Sequence, residues 1–296
     1  MTCVRAPGSS ANLGPGFDVL GVAVSRHVWV SDDGVGTRCD DKDAVTDAFR
    51  RAGGEGSVWL DADLPAGRGL GFSAAMRSAA AVLARLQQGD DSATAREVAF
   101  RLVTQLEGHA DNAAPAVFGG VQLVVDDDPI SLGVGLPGRL LVWVPELITS
   151  TDGSRRALPP TVSRHDAVFN LSRVALLTMA LLRDDSSLLR RATEDRLHQP
   201  QRLADCAPSR LAIEAALDNG AAAAWLSGSG PSVAVVLPRE FGETATAGLV
   251  EALCSGPDLD GRVLAVDVDR LGAVVSPDDR PSMRVGANAS GALLGY

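Results

Sequence analysis

The stretch LPAGRGLGFSAAMRSAAAV, Leu64 to Val82, constrains the fold more than any other part of the chain. An apolar run, SVWLDADLP, reads as a strand ending at Pro65. Three closely spaced glycines follow, and then an alanine-rich run that favours helix from about Ser73 to Gln87. Glycine tolerates backbone conformations and close approaches that other residues resist. The N–H groups at the start of the helix have no partner within it and favour negative charge. On these residues alone two readings stand: a plain strand-to-helix corner, or a cradle for a phosphate. There is no Gly-Lys-Ser/Thr, so the turn is not a Walker loop. The spacing is not G-x-G-x-x-G, so a dinucleotide fingerprint is unsupported.

Around this corner the chain alternates strands and helices. CVRAPGSSANLGPGFDVLGVAVSRHVWVS reads strand, polar loop, strand. A short helix is predicted over Asp40–Ala52. A second helix, SATAREVAFRLVTQLEG, is predicted to be capped by Ser92 or Thr94 and stopped at Gly108. GGVQLVVDD reads as a strand. The segment from Asp126 to Gly138 is rich in Asp, Gly and Pro and predicts a domain boundary. Beyond it come a strand (RLLVWVPE), a polar loop, a long helix from about Arg164 to Arg183, and shorter helices to about Asn219. A hairpin (AAAAWLSGSGPSVAVVLP), a helix (Glu243–Cys254) and a strand (Arg262–Asp267) follow. The expected division is 1–135, 136–276 and a tail, 277–296, without clear periodicity. Strands and helices mixed in both halves suggest two domains of α/β type.

Composition narrows the function. The net charge is −10, Lys42 is the single lysine, and no basic run exists, which argues against nucleic acid as the main partner. Basic residues that matter should be individual arginines reaching into a pocket. No apolar run is long enough to span a bilayer, so no membrane partner is expected. MTCVRAPGSSANLG lacks an apolar signal core, and a cytoplasmic protein is expected. Cys3, Cys39, Cys206 and Cys254 are scattered without metal-ligand or redox spacing and read as reduced, structural residues.

Four further constellations could carry chemistry. EGHADNAAPAVFGG gathers Glu107, His109, Asp111 and Asn112 at a helix end, suited to a Mg²⁺ ligand and polar substrate contacts, or else a solvated loop. The four histidines have no zinc spacing. In SSANLGPGFDVLG, Asn12 and Asp18 flank a Gly-Pro-Gly turn. SGSGPS, Ser227 to Ser232, is a small-residue turn that lets another backbone or a phosphate approach, or a tight hairpin. TDGSRRALPP places two arginines in a loop, where their forks suit a carboxylate or phosphate. A surface role for those arginines is the plainer alternative.

Together, in this order, these segments resemble one family, the GHMP kinases. SSANLGPGFDVLGVAV resembles the family's first motif, PAGRGLGFSAA its phosphate loop and SGSGPS its third motif. EGHADNAAPAVFGG resembles the segment carrying the metal-binding glutamate. TDGSRRALP and DRLHQPQR resemble substrate-side segments of the members that phosphorylate L-homoserine. The resemblance implies an α+β, two-domain fold: an N-terminal ribosomal protein S5 domain 2-like α/β domain and a C-terminal ferredoxin-like α+β domain. It implies that ATP lies over Pro65, Gly67, Arg68, Gly69, Leu70, Gly71, Phe72, Ser73, Ala74 and Ala75. Ser73 and Glu107 would hold Mg²⁺. Asn12, Asp18, His109, Asp111, Asn112, Thr151, Arg155 and Arg202 would hold the amino acid, the arginines at its carboxylate. Asn12, Asp18, Ser73, Glu107 and Arg155 would carry the catalytic work.

The implied reaction moves the ATP γ-phosphoryl group to the side-chain hydroxyl of L-homoserine, giving O-phospho-L-homoserine on the route to threonine. Positioning and metal suffice for a loose transition state, so no general base is assigned; Asp18 is the nearest candidate. A homodimer is compatible with the family. Two alternatives stand beside this reading: a kinase for another small hydroxy acid such as threonine or pantoate, and a catalytically impaired paralogue acting as a ligand sensor. Two departures motivate the second. Phe72 stands where the family's loop has its first serine, and only Ser31–Asp63 stands where the family has extra strands and a nucleotide-base loop. The expectation is that the Phe72 ring packs on the apolar side of the loop and leaves Ser73 facing the phosphates.

Overall fold

A computed structural model describes residues 1–147, 151–156, 158–256 and 258–276. The expected tail therefore lies outside the described residues. Among those described, the first sheet contains β1 (Cys3–Ala11), β2 (Leu20–Ser31), β3 (Thr37–Arg38), β4 (Trp59–Ala62), β5 (Val121–Val125) and β6 (Asp128–Ser131). The second contains β7 (Arg139–Pro145), β8 (Ala223–Leu226), β9 (Val233–Leu237) and β10 (Gly261–Val266), in the order β10-β7-β9-β8. A last short strand, β11 (Val274–Val275), returns to the first sheet and pairs with β1. Residues near 275 thus pack with the N-terminal half, although they fall within the expected second segment. The all-antiparallel pairing and the separate helices make this an α+β fold.

β2 organises the first sheet. It pairs with β1 along its length, with β4 over Val28–Ser31 and with β5 over Leu20–Val22. The two partners on one edge leave a split, and the corner after β4 opens beside it. The helices are α1 (Ala44–Arg51), α2 (Phe72–Gln87), α3 (Ser92–Glu107), α4 (Ala113–Phe118), α5 (Thr151–Arg156), α6 (Arg164–Arg183), α7 (Leu189–Ala192), α8 (Gln199–Ala204), α9 (Ala207–Asp218) and α10 (Glu243–Ser255). α2 packs on β1 and β2 and is flanked by α1, α3 and α4. Its alanines explain how it fits: Ala75, Ala79, Ala80, Ala81 and Ala84 are all fully buried, so neighbours approach closely on several sides.

The second sheet is apolar on both faces. Leu140, Val142 and Val144 join the core shared with the first sheet, while Leu141 and Trp143 pack toward the α9 and α10 side with Leu249 and Leu253. The two faces follow the period of two along β7. One continuous core therefore joins the two sheets, fixing the groove between them.

Three local expectations change. Asp91, not Ser92 or Thr94, caps α3: its carboxylate accepts from the Thr94 N–H at 2.8 Å. The segment read as a pure boundary, 126–138, contains β6, which forms a hairpin with β5 because Asp126 and Asp127 adopt positive φ at the turn. Arg155 and Arg156, expected in a loop, lie on the short helix α5.

Candidate active site

The glycine corner is a left-handed loop. Gly67, Gly69 and Gly71 have φ of 67°, 71° and 65°. A side chain at Gly69 would collide with the carbonyls of Ser227 and Gly230, and one at Gly71 with the Ser9 hydroxyl. Glycine is therefore required twice over, by conformation and by space. The SGSGPS turn supplies the wall behind the loop: Ser227 Oγ donates to the Gly69 carbonyl at 2.7 Å. Gly71 is the N-cap of α2 and provides no side-chain cap, so the first N–H groups of this sixteen-residue helix retain no capping side chain.

Ser73 and Glu107 meet at this helix start. Ser73 Oγ donates to Glu107 Oε1 at 2.6 Å, although the residues lie on different helices. Glu107 is the last residue of α3, and the chain leaves at Gly108 in a left-handed cap that the stop signal at Gly108 anticipated. Phe72 is half-buried and packs against the main core, while Ser73 turns to Glu107. Arg77, one turn beyond Ser73, also binds Glu107 Oε1, at 2.5 Å. Sequence reasoning missed this arginine; its i+4 spacing from Ser73 was the available signal.

The donors fit Mg²⁺. A hydroxyl and a carboxylate oxygen are hard ligands, and Mg²⁺ usually takes one or two carboxylates together with substrate phosphates. Among the described residues no cluster of three or more acidic, His or Cys groups could hold a metal without such phosphates.

At the other end lies the first-motif turn. Asn12, Leu13 and Asp18 adopt positive φ without being glycine, a strain characteristic of functional turns. Asn12 is buried and its amide is engaged at both ends: it donates to the Gly228 carbonyl at 3.0 Å and accepts from the Asp18 N–H at 3.1 Å. It aims Asp18. Arg155 grips Asp18 through both oxygens, at 2.6 and 2.8 Å. Phe17 lies beneath, with the Arg155 and Arg202 guanidiniums 5.5 and 5.3 Å from its ring.

Arg202 is buried and lowered in pKa by desolvation first, then by Arg155. It donates to the Gly228 carbonyl at 3.1 Å and contacts His198 Nδ1 at 3.0 Å. Its buried Nε has no hydrogen-bond partner among the described residues. His198 faces the Gly14 carbonyl through Nε2 at 2.8 Å and stacks on Phe17. Both contacts suit a neutral ring that donates from Nε2 and accepts at Nδ1. Burial lowers its pKa, and Arg202 adds to this. Phe17, His198 and Asp195 were not singled out from sequence. Asp195 holds the HQP turn by accepting from the N–H groups of Leu197, His198 and Gln199.

Between the two ends stand His109, Asp111 and Asn112. His109 Nδ1 contacts Asp111 Oδ1 at 2.6 Å, and Ser9 donates to Asn112 Oδ1 at 2.8 Å. Burial works against the charged form of His109, yet the hydrogen bond to Asp111 and the Asp111 charge outweigh it, and its pKa lies above the usual value. One cavity of about 490 Å³ joins these groups. It is lined by Asn12, Asp18, Gly67 to Ala74, Arg77, Glu107, His109, Asp111, Asn112, Arg155 and Arg202, and also by Asp43, Ala44, Val45 and Leu60.

Two expected residues do not line it: Pro65 and Ala75 are buried in the framework. Thr151 starts α5, and its side chain lies outside the described part. Arg68 lines the cavity, but its guanidinium is spent on the carbonyls of Ala66, Pro145 and Glu146, latching the loop to the end of β7.

The site is thus a left-handed glycine loop opening a buried helix, with a serine and a distant glutamate at its mouth, on an α+β scaffold. The family model for the GHMP kinase N-terminal domain matches residues 42–120, and that for the C-terminal domain matches 177–247. Curated homoserine kinases from Desulfitobacterium hafniense and Corynebacterium kroppenstedtii are 33% and 38% identical. These alignments cover 93% and 82% of this chain and 100% and 89% of the relatives. A crystal structure of homoserine kinase from Cytophaga hutchinsonii superposes with a TM-score of 0.78 at 28% identity, covering 93% of this chain and 97% of that one. The chain belongs to the GHMP kinases, and within them to the homoserine kinase family. Among the described residues no helix is long and apolar enough to cross a membrane.

Proposed function

We propose that this protein transfers the γ-phosphoryl group of ATP to the side-chain hydroxyl of L-homoserine, in the cytoplasm, on the route to threonine. One observation carries the reading: a single cavity has the glycine loop with Ser73 and Glu107 at one end and a balanced pair of opposite charges, Asp18 and Arg155, at the other. The relatives named as homoserine kinases supply the acceptor. A division at about residue 135 would give one part most of the nucleotide contacts and let α5 and α8 complete the acceptor side.

The phosphates would lie over residues 67–74, where the backbone approach is open and the start of α2 favours negative charge. The adenine would lie toward Asp43, Ala44, Val45 and Leu60, the part of the cavity that α1 and β4 build in place of a longer base loop. Mg²⁺ bound by Ser73 and Glu107 would offset the charge of the phosphate oxygens. The acceptor is a zwitterion. Its carboxylate would replace Asp18 on Arg155, beside the Arg202 guanidinium, while its ammonium would take up the released Asp18. The exchange conserves charge, so neither side is left buried and unpaired. The hydroxyl then attacks phosphorus as the bond to ADP breaks, and its proton leaves to a phosphate oxygen or solvent. In a loose transition state that proton departs late, so orientation matters more than a base.

A coupled ADP-release assay across homoserine, threonine and pantoate tests the reading. Homoserine is expected to turn over fastest. Faster turnover of pantoate, which has no ammonium for Asp18, or of threonine would overturn the acceptor assignment, and no turnover with any would favour the sensor.

A further inference from the structure

We infer that Arg77 sets the metal affinity of the phosphate site, acting as a resident cation on Glu107 that a divalent ion must share or displace. The inference rests on the kinase reading above. Arg77 and Ser73 lie four residues apart on α2 and therefore on one face. Both reach the same oxygen, Glu107 Oε1, at 2.5 and 2.6 Å. The two charged side chains are mostly buried, 22% and 14% exposed, so solvent screens them little. All three residues line the cavity.

The consequence follows from counting charges. Glu107 is the carboxylate that would hold the metal, and among the described residues it belongs to no larger acidic cluster. Arg77 neutralises it. The protein alone then offers a divalent ion little net attraction, and the ion binds effectively only when nucleotide phosphates bring the negative charge. Arg77 thereby couples metal binding to nucleotide binding and weakens the site for free metal. A purely structural role is the competing account, because Arg77 also reaches the Leu106 carbonyl at 3.5 Å near the end of α3. That role would affect stability without affecting metal affinity.

Mn²⁺ is the probe, titrated into the full-length protein with and without ADP and followed by electron paramagnetic resonance, with thermal melting in parallel. For Arg77→Met the Mn²⁺ dissociation constant in the ADP complex is expected to fall about tenfold. Mn²⁺ binding without ADP should also strengthen. Arg77→Lys, which keeps the charge, should stay near wild type, and Arg77→Gln serves if the Met variant does not fold. An unchanged or weaker Mn²⁺ affinity in the Met or Gln variant, with only a lower melting temperature, would overturn the proposal. So would a loss of metal-free ADP binding, which would place Arg77 on the phosphates instead. If wild-type protein bound neither ADP nor Mn²⁺ with ADP, the kinase reading itself would fail, and this inference with it.

Discussion

The two ends of the cavity are built by different means. The end proposed for the phosphates is mostly backbone: three left-handed glycines, a helix start and a wall of carbonyls from the SGSGPS turn. It is pinned by α2, whose small residues are buried in the core. The acceptor end is built of side chains drawn from distant segments, Asp18 from the first turn, Arg155 from α5 and Arg202 from α8, balanced against one another. Backbone cradles bind whatever carries phosphate; charge pairs read one particular molecule. Substitutions should therefore separate the two ends kinetically.

The largest effect is expected at the junction of metal and phosphate. Glu107→Ala should lower kcat about 10³-fold or more. The fold should be retained with a lower melting temperature, because Arg77 and Ser73 lose their shared partner. Steady-state kinetics together with a thermal melt decide this. Activity retained across a Mg²⁺ titration would show that the phosphate end does not depend on this carboxylate.

At the acceptor end, Arg155→Ala should raise KM for homoserine roughly 10- to 100-fold, the cost of one charge-assisted carboxylate contact. KM for ATP should stay nearly constant. A parallel rise in both constants would erase the contrast between the ends, and Arg155 would then be holding the cavity closed rather than reading the carboxylate. Arg155→Lys should recover only part of the loss, because an ammonium cannot reproduce the two-point fork.

This contrast also explains what could be read without coordinates. The phosphate end is contiguous in sequence, so its glycines, serine and helix stood out as a unit from Leu64 to Val82. The longer strands and helices were equally legible, because burial imprints periods of two and 3.6 on the residues, whereas the short β3, β6 and β11 carry too few residues to show a period. The acceptor end was legible only through resemblance, since nothing local connects Asp18, Arg155 and Arg202. Phe17 and His198 escaped notice for the same reason: an aromatic platform under two arginines exists only after the chain has folded. Arg68 shows a further part that only the fold reveals: its guanidinium is engaged by the carbonyls at the end of β7.

His198 gives a smaller effect that belongs to the acceptor end alone. Its folded pKa is depressed below the ordinary imidazole value of 6.5 by burial and by Arg202. The unfolded chain therefore binds more protons in this range. The stability from a neutral His198 is fully present above about 6.5 and is lost as pH falls toward the lower folded value. Melting temperature should drop by a few degrees more in wild type than in His198→Gln between pH 7.5 and 5.5. Equal drops would show that His198 is not the titrating group. His109 works in the other direction: its raised pKa gives stability that is present at low pH and lost as pH rises, so the variant at His198 isolates the acid-side loss.

Phe72 carries the smallest expected effect and tests whether the two ends are independent. The ring stands where a hydroxyl is expected, next to Ser73, the proposed metal ligand, and it lines the cavity while resting on the core. Ser73 nevertheless reaches Glu107 at 2.6 Å, so the ring does not turn it away. If the ring serves only packing, Phe72→Ser should change kcat and both KM values less than about threefold while lowering stability through the lost apolar contact. A large gain in kcat would mean that the ring obstructs the phosphates and that the native loop works below its capacity. A change in the homoserine KM alone would be harder to reconcile with the structure, because Phe72 lies at the phosphate end. It would require the loop to transmit strain along a hydrogen-bonded path such as that through Ser227 and Gly228 to Asn12.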